Sequence, residues 1–99
     1  MAIKLNGVNV AIMGLDKWNG YLCVFYTLDG YRFLDWVKSD GAKYKLESSK
    51  ADFIADNDEY YRCVVDIKDD AEYMDFLSNL YDYLQDYVKN CCVKEGKHD

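Results

Sequence analysis

Short runs of β-forming residues, punctuated by Asn-Gly and Asp-Gly pairs, fill the first half of the chain. The pairs are Asn6-Gly7, Asn19-Gly20, Asp29-Gly30 and Asp40-Gly41. Both residue types tolerate the positive φ that tight hairpin turns require, so each pair predicts a strand reversal. The runs between them, residues 2–6, 8–13, 21–28, 31–38 and 42–47, predict an antiparallel meander. In "YLCVFYTL" both alternating sets are apolar: Tyr21, Cys23 and Phe25 on one side, Leu22, Val24, Tyr26 and Leu28 on the other. Such a strand belongs in mid-sheet with both faces at least partly covered. Trp18, in "DKWNG", is expected in a turn, either folded back onto the sheet, the favoured reading, or standing out as a binding anchor.

A later run, "EYYRCVVDI" (59–67), alternates as well, with Tyr61, Cys63, Val65 and Ile67 facing one way. It predicts a sixth strand. The polar stretch 48–58 before it predicts a loop, with at most a helical turn carrying Phe53 and Ile54.

After Lys68 the period changes from two to 3.6. Asp69 or Asp70 supplies an N-cap, Glu72 favours the first turn, and Gly96 marks a stop, so the pattern predicts one helix over about 70–93. At 1.5 Å per residue it is roughly 35 Å long. Tyr73, Met74, Phe76, Leu77, Leu80, Tyr81, Tyr83, Leu84, Tyr87, Val88 and Cys91 fall within half of its circumference. The centre of that arc, Leu77, Leu80, Leu84, Val88 and Cys91, is expected to be core. The arc is wider than the ~100° stripe that docks one helix on one sheet. Phe76 and Tyr83 therefore stand at an edge, beside a ridge of carboxylates formed by Glu72, Asp75, Asp82 and Asp86.

The fold class that follows is α+β: an antiparallel sheet of five or six strands, packed by one long C-terminal helix. Ninety-nine residues, 51% hydrophobic, are the size of one domain with a real core. Net charge is −6, which disfavours direct binding to nucleic acid phosphates or anionic membranes and favours a basic protein partner. No run is apolar enough for a membrane span, and the N-terminus lacks the pattern of a secretory signal. A cytoplasmic location with reduced cysteines is the expectation, with Cys23 and Cys63 buried in strands.

Catalytic motifs are missing. The one histidine, His98, lies near the C-terminus, and the cysteines, including the adjacent Cys91 and Cys92, lack zinc-site spacing. "DNDEYY" at Asp56 opens like a calcium loop but lacks glycine at its sixth position and has Ile67 at its twelfth. No cofactor or metal is expected, and no enzyme. Two readings of the ridge stand side by side. It is either a solvated face, or a docking surface on which Glu72, Asp75, Asp82 and Asp86 pair with Arg and Lys while Phe76 and Tyr83 supply dry contact. The second describes a small acidic inhibitor of a nucleic-acid-handling protein, in size and charge like anti-defence and toxin-immunity proteins. The rival is a homo-oligomerising subunit that buries Tyr83, Tyr87 or Trp36 against a second copy.

Overall fold

In the computed structural model, the backbone is described for residues 2–40 and 43–96, and side chains for 2–39 and 44–91. Five strands, β1 (Ala2–Leu5), β2 (Val8–Trp18), β3 (Tyr21–Leu28), β4 (Tyr31–Asp40) and β5 (Lys43–Leu46), form one antiparallel sheet in sequence order. Two helices follow, α1 (Lys50–Arg62) and α2 (Asp70–Gly96). The α+β meander with a long C-terminal helix is the architecture that the residue pattern predicts. The Asp40-Gly41 turn and His98 lie outside the described residues, as does the side chain of Cys92.

Three hairpins close on the expected pairs. Asn6, Asn19 and Asp29 have φ near +50°, and the glycine after each is also positive, as a primed turn demands. β2 runs five residues further than its alternation suggests. The register slips between Ile12 and Gly14, where Gly14 has φ +138°, and pairing with β3 then continues to Trp18↔Tyr21. The bulge lets a strand with a broken pattern stay in the sheet and bends it.

The bend shapes the molecule. α2 touches both edge strands, β5 and β1, so the sheet curls round it as a half-barrel. The concave side presents Val8, Val10, Ile12, Val24, Leu28 and Val37 to the helix, with all of them buried. Asp69 caps α2 by accepting from the Glu72 backbone N–H at 2.9 Å.

The sixth strand does not form. Residues 50–62 are helix α1, and 63–69 are irregular. The signal for α1 is local: Ser49 accepts from the Asp52 N–H at 3.2 Å and donates to its carboxylate at 2.9 Å, a capping pair spaced S-x-x-D. Phe53 and Tyr61, eight residues apart, share the buried face. The apparent alternation of 59–67 splices the last turn of this helix to a coil that buries only Val65. Cys63, expected in a strand, is an exposed C-cap, whereas Cys23 is buried.

Candidate functional site

Two opposed surfaces remain once the core is filled, a helical one and the convex side of the sheet. On the helical side, α1 and α2 run antiparallel, tied by Lys50–Asp82 at 3.0 Å near one end and Arg62–Asp70 at 3.1 Å near the other. Arg62 also pairs with Asp58 at 3.0 Å and lies 4.2 Å over the Tyr73 ring. Between Lys50 and Cys91 eleven Asp and Glu stand against four Lys and Arg. Between Ala2 and Ser49 five stand against six. The negative charge of the chain therefore belongs to its helical layer, where α1 contributes the exposed Asp52, Asp56 and Glu59 in addition to the acids of α2.

The ridge residues divide. Glu72 and Asp86 are exposed and form no ion pair with a described residue. Asp82 is exposed but already holds Lys50. Asp75 accepts from the Asn6 amide at 2.9 Å and from Asn79 at 3.3 Å, linking α2 to the first hairpin turn. An exposed pair such as Lys50–Asp82 is worth at most about 1 kcal/mol, so Asp82 stays free to exchange partners.

Phe76 must be corrected. It is 0% exposed and cannot touch a partner. A flat sheet would cover one stripe of the helix, but the curled sheet and α1 cover both margins, so Tyr73 and Phe76 are as deep as Leu80. Tyr73 and Phe76 are thus spent on the chain's own core, whereas Tyr81, Tyr83 and Tyr87 are half-buried and Met74 is exposed. Tyr83 is half-buried with its hydroxyl turned inward, without a hydrogen-bond partner among the described residues. Burial pushes its phenol pKa up. Tyr83→Phe is expected to raise stability by about 1 kcal/mol, since it deletes a desolvated, unpaired group. Urea denaturation at neutral pH checks this, and a loss of similar size would mean that the hydroxyl is bonded.

A second polar feature lies inside the half-barrel. Asp35 shares the concave side of β4 with Phe33 and Val37 and is partly buried. Its carboxylate accepts from Tyr26 at 2.5 Å and from Tyr61 of α1 at 3.2 Å, and the two hydroxyls also bond each other. Burial raises the Asp35 pKa, against the opposing pull of the two hydroxyl donors. The same burial, beside the Asp35 charge, lifts both phenols far above their ordinary value. The cluster fastens α1 to the sheet where β4 has no β5 neighbour, since β5 pairs only from Val37 onward.

The convex face is the surface that the sequence reading undervalued. It carries no helix, yet Met13 is 71% exposed, Tyr21 62% and Trp18 50%, with Leu34 and Trp36 also open. Trp18 is not folded back. It ends β2 with its ring centroid 6.1 Å from that of Trp36, which in turn meets Tyr21 edge-on at 4.9 Å. Cys23, opposite Trp36 and Asp16 on the same face, is buried. An uncovered antiparallel face is ordinarily polar. The cue was present, since "YLCVFYTL" is apolar on both sides, but it predicted a covering layer rather than an open one.

No described helix is long and apolar enough to cross a membrane. No family model matches the chain, and comparison with curated proteins and with solved structures returns no match.

Proposed function

We propose that the protein is a small non-enzymatic inhibitor that lays its acidic helical face on the basic, nucleic-acid-handling surface of a larger protein in the cytoplasm. Its type is that of an anti-defence or immunity protein. The observation that supports this reading is the segregation of charge, with eleven acids against four cations over Lys50–Cys91 and near-neutrality elsewhere. Carboxylates on a rigid two-helix layer steer a cationic partner from a distance and accept bidentate bonds from arginine on arrival. Glu72 and Asp86 make first contact, and Asp82 exchanges Lys50 for a partner cation. Asp75, held by Asn6, is a fixed acceptor.

Reversing Asp82 and Asp86 together to lysine is expected to abolish binding while the chain stays folded, because both side chains are exposed. The immobilised protein and this variant are compared on extract of the native host. The wild type should retain a basic protein that salt and duplex DNA displace, and the folded variant should lose it. A variant that retains the same protein with unchanged salt sensitivity would rule the helical face out.

A further inference from the structure

We propose that the convex face of the sheet binds single-stranded RNA. This goes beyond the inhibitor reading and uses the opposite side of the molecule. The face presents Met13, Trp18, Tyr21, Phe25, Leu34 and Trp36 side by side on β2, β3 and β4. Rings on an open sheet stack bases without regard to sequence, because every base has a π face.

The charges on the same face fit a phosphate backbone. Lys4, Arg32, Lys38 and Lys45 share the convex side with the rings. Lys38 and Lys45 stand directly opposite each other across β4 and β5. Arg32 and Lys38 are six residues apart, about 20 Å along β4, so the cations follow the strand direction rather than gather at one point.

Two open depressions lie along that line. One, of about 370 Å³, has Met13, Gly14, Asp16, Phe25, Thr27 and Arg32 among its walls. The other, of about 480 Å³, is lined by Tyr21, Trp36, Val37, Lys38 and Glu47. Each joins an aromatic ring to one cation and one carboxylate, Asp16 in the first and Glu47 in the second, groups that can meet a base, its phosphate and its ribose hydroxyl. An acidic protein partner would be better met by arginine forks, whereas this face offers mostly lysine point charges and flat rings. Asp16 and Glu47, the two carboxylates on the face among the described side chains, repel phosphate but accept from a ribose 2′-hydroxyl, and this commits the proposal to RNA over DNA. The net charge of −6 does not oppose binding here, because the excess acid lies on the helices.

Trp18 and Trp36 are the protein's two tryptophans, so tryptophan fluorescence, excited beyond the absorption of the ten tyrosines, reads this face. The probe is a uridine oligomer of about 10–15 nucleotides, the length that one sheet module of this size covers. At about 50 mM salt it should quench the fluorescence, with binding weakened at least tenfold at about 200 mM. Trp18→Ala and the pair Arg32→Glu/Lys38→Glu should each cost about tenfold or more in affinity, while Asp82→Lys/Asp86→Lys should not weaken it. The charge-reversal pair is wholly at the surface and serves if Trp18→Ala perturbs the fold. No quenching up to roughly 100 μM oligomer, the weak limit of non-specific nucleic acid binding, would overturn the proposal. Equal affinity for a deoxythymidine oligomer would overturn the assignment to RNA. Quenching by polyglutamate as strong as by RNA would replace it with an acidic protein partner.

Discussion

Phe76→Ala is expected to remove about 3–5 kcal/mol of folding free energy, the range for truncating a buried aromatic ring. A domain of this size has only about 5–15 kcal/mol in total, so the variant should sit close to its unfolding threshold. The midpoint of thermal unfolding should fall by roughly 12 °C or more. The ring is fully buried on the margin of α2 beside its carboxylate ridge, on a helix that packs against β1 and β5. A partner contact on the helix margin would behave differently, with truncation near neutral in the isolated protein. Asp86→Ala, on the same helix but exposed, provides the comparison and should change stability by no more than about 0.5 kcal/mol. Guanidinium denaturation of the two variants decides the matter. Equal midpoints would mean that the half-barrel does not close over this edge.

Phe76 lies deeper than the helical period alone implies, because its cover comes from distant parts of the chain. Strand reversals were legible because Asn6-Gly7, Asn19-Gly20 and Asp29-Gly30 fix backbone conformation locally. The long helix was legible because a single period persists from Tyr73 to Val88. Curvature is different. It arises from the bulge at Met13–Gly14 and from pairing across β2 and β3, and no residue near Phe76 announces it. A second helix was announced, by Ser49 and Asp52, but the β-branched run at Val64 and Val65 outweighed a two-residue cap. Without α1, Tyr73 has nothing to cover it, and the aromatic half of α2 reads as surplus. The acids on α2 were correctly placed on an outward flank, since a helix projects polar residues away from its core whatever covers the other side. The convex face escaped notice for a related reason. Aromatic residues on both sides of β3 imply two covering layers, and this chain has enough helix for one.

Asp35 is the residue at which sequence position and chemical environment diverge most, and its ionisation should be visible in the stability of the whole protein. On β4 it alternates with Phe33 and Val37, which puts a carboxylate on the concave, apolar side. Burial raises its pKa in the folded state above the ordinary carboxylate value near 3.9. Below that value both folded and unfolded chains hold the proton. As pH rises from there to the raised folded value, the unfolded chain gives up its proton first, so folding loses free energy through that window. Asp35→Asn removes the titration but keeps an acceptor for the two hydroxyls. Its stability relative to wild type should therefore increase as pH rises from about 3.5 to 7, where the parent must keep an ionised carboxylate half-buried. Tyr26→Phe should act in the opposite sense. It deletes the 2.5 Å donor to Asp35 and costs about 1.5–3 kcal/mol at neutral pH, where the acceptor is charged, but only about 1 kcal/mol in acid, where it is not. Because that donor also holds the folded-state pKa of Asp35 down, its loss should extend the upper end of the window of falling stability to higher pH. Urea titrations of the three proteins across this range give the result. If the wild type and Asp35→Asn keep a constant difference, Asp35 is solvated, and the bond between α1 and the sheet is not made through it.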